Sequence, residues 1–529
     1  MEANLRKLLN LSPYLFNGTV LSFSFTLLFS LYSWLPLLDA KWSIIDDHEI
    51  VSAIGPRDRL PISEIPYTLN KTEVGADSNF LRFRPSYYSI RYFEAAIWGK
   101  EPSLWYATRI IIFSIFALAL TAISLRTGGV LLTLGFLVFE LSRPYWSDMI
   151  ARLGPSETYA VLGVSLTMIG FLFADKKGWS TLPCFLLTAG IIVAAGSKEN
   201  FVILAILPLW LIFSPIPGLS LKLKSILSIS LVYSLWISAV IINRLSYIGH
   251  DVYAQSTSLG SRLTSLYSFV LSPEILVLFA IYLPLYFFIL HTKKYNTQEK
   301  SWLISVNKYV LSISALLTLI FSQHFFYGGH WLHNVHTRYA FPGMFAVHAA
   351  FFLLFIVVAK IAGARRQKLA GHIWVIYLVG ALSFLTLSIG KITSNRASSI
   401  ARVSESNSFT ERLNEAFNFL RAHPNAILII NSHSIWDYEP IFSIQRFLQA
   451  SGLTNPITLN INGYLPSTFS ADSQKLELLL STQLNNLQNQ GGEGFEPLHK
   501  LDSISNCFSL GMSGPPLVEC ESGNIIYRP

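Results

Sequence analysis

The chain has 529 residues, of which 52% are hydrophobic and only 13% charged, with a mean hydropathy of +0.45. A water-soluble protein carries about a quarter charged residues, so this composition excludes a soluble globule and indicates a polytopic helical membrane protein. Lys and Arg outnumber Asp and Glu 39 to 31, but they sit in short connections between apolar runs, as topology signals do, and do not mark a nucleic-acid partner.

In chain order, apolar runs lie near 14–38, 104–125, 128–142, 156–174, 181–196, 200–213, 225–243, 273–291, 303–322, 339–360 and 371–391. They predict about eleven transmembrane helices, several shorter than the roughly 20 residues of a full crossing. The stretch 181–213 reads equally as a broken or re-entrant pair. Residues 14–38 are too long for the core of a signal peptide and lack a small-residue cleavage site, so they are expected to remain. Arg6, Lys7, Arg126, Lys176, Lys177, Lys222, Lys224, Lys293, Lys294, Lys300, Lys360, Arg365, Arg366 and Lys368 fall at alternate connections. By the positive-inside rule these are cytoplasmic. The N-terminus then lies inside, and an odd number of crossings carries the C-terminal part to the outer, periplasmic face of an inner (cell) membrane. The expected division is 1–394, a membrane domain with a long first outer loop at 39–103, and 395–529, a soluble α/β domain.

The unusual polar groups collect in the other set of connections. The first outer loop opens with "KWSIIDDHEIVSAIG", which places Asp46, Asp47, His48 and Glu49 side by side. Neighbouring carboxylates raise one another's pKa, which suits a base that must deprotonate a hydroxyl. Consecutive residues point in different directions, so one of the two aspartates is expected to face a site. The bland alternative is a hydrated, charged juxtamembrane loop. Further on, "RFRPSYY" carries Arg82 and Arg84, suited to an anionic headgroup or to a salt bridge with the acidic cluster. "SYYSIRYFEAAIWG" reads as an interfacial helix with Tyr88, Tyr92, Ala95 and Ala96 on one side. "SRPYWSDMIARLGPSETY" supplies Arg143, Asp148, Arg152 and Glu157, with Ser156 and Glu157 placed to cap the following helix. "AAGSKENF" sets Lys198 and Glu199 at a break between two short spans, as a lipid-phosphate ligand or as a structural ion pair.

"QHFFYGGHWLHNVHTRYAFPG" adds His324, His330, His333, His336, Arg338 and Tyr339. Arg338 could grip a phosphate through paired charge-assisted hydrogen bonds, or rest in lipid headgroups. The histidines have helical spacing but no nearby carboxylates, which fits hydrogen bonding to sugar or phosphate, or plain interfacial packing, better than a metal site.

From about 395 the composition becomes that of a soluble protein. "SFTERLNEAFNFLRAHP" is a helix with Phe409, Leu413, Phe417 and Leu420 on one face, stopped by Pro424. "NAILIIN" reads as a strand, "YEPIFSIQRFLQASG" as a helix and "PITLNI" as a strand, a parallel α/β unit. Ser432, His433 and Asp437 lie too close in sequence for a hydrolase triad and read as a loop. Cys184 is expected to be a buried hydrophobe, whereas Cys507 and Cys520 are equally open to a disulfide or to free thiols.

The acidic pair at the end of the first helix, the amphipathic first outer loop, the many spans, the outer C-terminal domain and "HTRYAFPG" together resemble the membrane-embedded type C glycosyltransferases, such as protein O-mannosyltransferases, aminoarabinose transferases and arabinofuranosyltransferases. The resemblance spans most of residues 1–391. It implies an inverting transferase that takes a sugar from a polyprenyl-phosphate donor at the outer face and gives it to a lipid, glycan or protein acceptor. It implies Asp47 or Asp46 as the base, Asp47 preferred, with Glu49 assisting or holding His48. Arg338, Tyr339, Lys198, Arg84, Arg82, Arg152, His48, His333 and His336 are the candidate donor-phosphate and substrate ligands. No cofactor is expected; a divalent metal is possible but not indicated, and no Gly-rich nucleotide loop is evident. Two other readings remain: an O-antigen ligase or polymerase, whose key groups sit in a large late loop, and a lipid-linked glycan transporter or flippase, which expects charges in mid-helix.

Overall fold

The computed structural model describes residues 13–75, 81–248, 259–271, 273–295, 306–318, 338–365, 373–432, 438–453 and 455, and the strand segments 457–461, 495–497, 507–511 and 525–527. Helix α1 (Pro13–Trp34) runs into a 3-10 turn, Leu35–Asp39. Three short helices follow, α2 (Asp47–Ile54), α3 (Ile65–Asn70) and α4 (Pro85–Ile97). Next come α5 (Pro102–Leu141), α6 (Tyr145–Ile150), α7 (Glu157–Lys177), α8 (Thr181–Ser197), α9 (Ile206–Phe213) and α10 (Leu221–Ile248). The later helices are α11 (Leu259–Val270), α12 (Pro273–Tyr295), α13 (306–318), α14 (Gly343–Arg365), α15 (Ile373–Thr386) and α16 (Ser394–Ala422).

Five described helices are long and apolar enough to cross a membrane. They show the chain to be a helical, membrane-associated protein; the expected eleven crossings are not matched by that count. The stretch 181–213 is indeed broken: α8 has 17 residues and α9 has 8, separated by a 3-10 segment, Glu199–Ala205. Large side chains such as Leu28, Val232, Leu235 and Phe287 are exposed along these helices, as lipid-facing surfaces require.

A straight helix of 40 residues would measure about 60 Å, twice the hydrocarbon thickness. α5 avoids this through Gly129, whose φ of 69° and ψ of 179° interrupt the helix in a conformation that glycine adopts without a Cβ clash. The chain reverses there. Phe113 packs edge-on against Trp34, with ring centroids 5.4 Å apart. At the far end of α5, the Leu141 carbonyl accepts a 2.8 Å hydrogen bond from Asn395, and Ser399 in turn donates to the Ser33 carbonyl. The first limb therefore passes, and the second ends, near the C-terminus of α1. The turn between them holds Arg126, bonded to Asp175 at 3.0 Å near the end of α7.

This arrangement sorts the polar groups. Lys176 and Lys177 close α7 and Lys222 and Lys224 open α10, while Glu157 and Arg244 lie at the other ends of the same helices. α14 likewise begins just after Arg338 and carries Lys360 and Arg365 toward its far end. α7 and α8 cross closely because both contribute glycine: a Cβ on Gly163 would fall 2.4 Å from the Gly190 carbonyl oxygen, the small-residue contact common between membrane helices.

α16 is continuous with the bundle. Its start is tied to α1 and α5, and its end buries Phe409, Leu413, Phe417 and Leu420, as the spacing anticipates. β1 (Ile427–Ser432), α17 (Tyr438–Ala450), β2 (Ile457–Ile461), β3 (Phe495–Pro497), β4 (Cys507–Gly511) and β5 (Ile525–Tyr527) follow. The strands pair in parallel in the order β3-β2-β1-β4-β5. Val51 of α2 packs into one apolar cluster with Leu413 and Phe417 of α16 and Ile444 and Phe447 of α17. The acidic motif is thus held from both sides, by the bundle and by the C-terminal helices. Cys184 is buried, as expected; Cys507 lies in β4, and Cys520 is outside the described residues.

Candidate functional site at one end of the bundle

The chain leaves the 3-10 turn at Ala40 and enters α2 through Asp46. This residue has φ 72°, the sole positive φ among described non-glycine residues. For an L-residue that costs on the order of 1–2 kcal/mol and persists only where surroundings hold it. Asp46 forms no side-chain cap on its own helix. Instead its Oδ2 accepts a 2.7 Å hydrogen bond from Arg152 Nη2, and its carbonyl accepts one of 2.7 Å from Arg91 Nη2. Gly154 presses on it from the other side: a Cβ there would sit 2.1 Å from the Asp46 Cβ.

Asp47 points elsewhere. It is 1% exposed, and its Oδ2 accepts the Ser43 amide at 2.7 Å. His48 is also buried, on the helix that meets α17. Glu49 does not hold His48 but pairs with Arg91 at 3.0 Å. Adjacent residues on a helix are about 100° apart, so the motif is divided among three environments.

Electrostatics follow that division. Burial alone would raise the Asp46 carboxyl, but Arg152, Arg338 and Arg91 outweigh it and hold the group below its ordinary value. Burial pushes Asp47 up to about 7, aided by Asp46 and opposed by the Ser43 amide. Burial lowers His48 to about 4, leaving a neutral imidazole at pH 7. The protein packed around one side of Glu49 raises its carboxyl against the pull of Arg91, while its other side stays open.

Asp47 carries a direct stability consequence. It binds its proton more tightly when folded, so the folded state holds more protons between pH 3.8 and about 7. Its contribution therefore favours folding at low pH and is lost as pH rises through that window. Asp47→Asn keeps an acceptor for the Ser43 amide and removes the titration. Its melting temperature between pH 5 and 8 should fall less steeply than the wild type's, and an unchanged slope would count against this account.

Around Asp46 the ion pairs form a ladder. Arg152 also reaches Asp148 at 3.2 Å, and Asp148 accepts the Arg338 amide at 2.9 Å while lying 3.7 Å from its guanidinium. Arg338 stands 4.0 Å from Glu157, and Glu157 is 2.8 Å from Lys198. Tyr339 accepts a hydrogen bond from Arg338 at 3.2 Å, and Lys198 lies 5.4 Å from the centre of its ring. The expectation that Ser156 and Glu157 cap α7 is corrected: no side-chain cap bond forms, and Glu157 is buried against cations. Lys198 and Glu199, open to being each other's partners, take separate ones; Glu199 lies 3.1 Å from Arg84.

Arg84 therefore does not bridge to the Asp46–Glu49 motif, and its second acid is Glu73 at 3.9 Å. Arg82 acts electrostatically on Glu73, and its carbonyl accepts Arg244 at 2.6 Å. The face of α4 that carries Tyr88, Tyr92 and Ala95 turns toward protein. Tyr92 and Ala95 are buried and Tyr88 is half-buried against protein, whereas Phe93 and Ile97 are exposed. Arg143 turns away to the Phe139 and Leu387 carbonyls. His324, His330, His333, His336, His433 and Asp437 lie outside the described residues. Among the described residues, no group of three or more His, Cys, Asp and Glu has a metal-binding arrangement.

Sequence reasoning missed Arg91, Glu73 and Gly154. Arg91 sits inside an aromatic helical face, where an arginine at 1% exposure must have a partner; that was the available signal. Chemically, the ladder offers partly open carboxylates, Asp46 at 28% and Asp148 at 23% exposed, in line with the cations Arg152, Arg338 and Lys198. No protein-family model matches this chain, and neither a curated protein nor a solved structure matches it.

Proposed function

We propose that the protein is an inverting glycosyltransferase that moves a sugar from a polyprenyl-phosphate donor to an acceptor hydroxyl. In this reading the chain crosses the membrane eleven times from a cytoplasmic N-terminus. The ladder, and a soluble α/β domain built on β1–β5, then face the outer side. The observation that carries the reading is Asp46: a carboxylate kept ionised, strained in its backbone, paired with Arg152 and within the field of Arg338, in a ladder that continues to Lys198 at the bundle end opposite the lysine-rich turns.

The chemistry is a single displacement. The acceptor oxygen attacks the anomeric carbon as its proton passes to Asp46, and the bond from that carbon to the phosphate oxygen breaks. Charge gathers on the departing polyprenyl phosphate, where Arg338 and Lys198 stabilise it. Asp148 and Glu157 occupy these cations meanwhile, so no charge stands unbalanced in a low-dielectric region. Asp46 replaces Asp47 as the preferred base because Asp47 is sealed from any acceptor.

The test is purified protein incubated with a panel of polyprenyl-phosphate sugars, scored for transfer. The reading falls if no donor is turned over by folded protein. Arg338→Gln should weaken polyprenyl-phosphate binding about 10- to 100-fold, the value of one or two charge-assisted hydrogen bonds, measured by titration with the unglycosylated carrier. Transport of a lipid-linked glycan has one observation in its favour: Glu140, fully buried within the bundle, lies 2.6 Å from His348. A transporter would move the substrate with its sugar still attached, which the same assay separates.

A further inference from the structure

On the Arg91 side of Asp46, helices α2 and α4 and the turn at Glu73 build a second polar cluster that the ladder does not use. Arg91 joins the two, since one nitrogen bonds the Asp46 carbonyl and another faces Glu49. The pair is asymmetric: Arg91 is 1% exposed and Glu49 is 46% exposed, so the carboxylate presents an open face. Glu73 is 8% exposed, yet its Oε2 has no hydrogen-bond partner; its nearest cation, Arg84 Nε, is 3.9 Å away. Arg91 Nε is likewise buried without a hydrogen-bond partner. Between these groups stands Tyr88, half-buried, within the electrostatic reach of both Glu73 and Glu49. Its ring is 4.8 Å from that of Tyr87 and 6.0 Å from that of Tyr92.

A buried carboxylate oxygen left without a donor costs about 1–3 kcal/mol, so the cluster is built to receive one. Three carboxylates, Glu49, Glu73 and Glu199, are balanced by three guanidinium groups, Arg91, Arg84 and Arg82. That balance removes the pull on an amine or another cation. Neutral hydroxyls remain, which donate hydrogen bonds to carboxylates and accept them from guanidinium, while an aromatic ring takes the apolar face of a pyranose or furanose.

We propose that Glu49, Glu73, Tyr88 and Arg91 form the acceptor subsite, and that the acceptor is a neutral polyhydroxylated group, a glycan. The proposal rests on the glycosyltransferase reading and adds the acceptor's class. Arg91 sets the spacing, holding the subsite beside the base so that one hydroxyl of the bound glycan reaches Asp46.

The experiment uses the full-length protein with a panel of short oligosaccharides and methyl glycosides, and a serine/threonine peptide for comparison. Tyr88→Leu and Glu49→Gln should each raise the acceptor KM about tenfold, equivalent to one lost contact, with polyprenyl-phosphate binding at the wild-type value. Tyr88→Phe, which keeps the ring, should recover most of the affinity lost in Tyr88→Leu. Glu73→Gln serves as a further variant should Tyr88→Leu fail to fold. Transfer to the peptide alone, or a KM within twofold of wild type in the folded variants, would overturn the subsite. If no donor is turned over, the transferase reading fails by itself, and saturation-transfer NMR with the methyl glycosides still decides. Signal in wild type that is lost in the variants supports the subsite, and absence of signal in wild type overturns it.

Discussion

Asp46→Asn should lower sugar transfer by a factor of roughly 10²–10⁴, the usual contribution of a positioned general base, with the fold intact. Asn is nearly isosteric and its oxygen can still accept from Arg152, now 2.7 Å from the carboxylate, but it cannot take a proton from the acceptor. Asp47→Asn should leave transfer close to wild type, because the Asp47 carboxyl is sealed against the Ser43 amide. The contrast between the two variants is the informative quantity. Full activity in Asp46→Asn, or the same loss in both, would remove Asp46 from the mechanism. The pH profile gives a second check. The arginines hold Asp46 below its ordinary 3.8, so the acid limb it produces should lie below that value and transfer should be flat through neutrality. The Arg152 ion pair follows the same sign: its contribution to stability is present above 3.8 and is lost as pH falls through the lower folded value.

The second large effect is expected at Gly154, which makes no chemical contribution of its own. Its φ is not in the positive range, so its backbone can accommodate alanine; what forbids a side chain is Asp46. An added Cβ would sit 2.1 Å from Asp46 Cβ, 2.3 Å from Cγ and 2.6 Å from Oδ2. Something must move by about an ångström, and the candidate is the carboxylate itself. A displacement of that size is commonly worth about 10²-fold in rate, with about 1–3 kcal/mol of destabilisation from overpacking. Kinetics and thermal melting of Gly154→Ala measure both. In an Asp46→Asn background the same substitution should cause little further loss of rate, since both changes act through one group. Additive losses would show that Gly154 acts through something else.

The glycine also shows where reading a sequence stops. "RLGPSETY" presents Gly154 as an ordinary punctuator before a helix, and nothing local indicates a carboxylate from residue 46 resting against it. Likewise Glu157 has every local mark of a helix cap, yet Lys198, some forty residues later, claims it. Tyr88 and Tyr92 keep the spacing of an amphipathic face, but spacing does not say whether that face meets headgroups or protein.

What the sequence by itself determined is what depends on neighbours along the chain. Apolar run length marks the chain as a helical membrane protein. The alternation of lysine-rich connections sorts the helix ends, and the repeat of Phe409, Leu413, Phe417 and Leu420 sets the buried face of α16. Each of these is a sum of local transfer energies, and such sums can be made on a string of letters. The tertiary structure decided the partners: Arg152 to Asp46 across 106 positions, Arg84 to Glu199 across 115, and the Arg338 amide to Asp148 across 190. It also set the two aspartates in different surroundings. Ion pairing and burial depend on distances between elements far apart in sequence, and on one backbone angle at Asp46 that packing imposes against local preference. The same letters, D-D, therefore yield one carboxylate held ionised among arginines and one driven toward its protonated form.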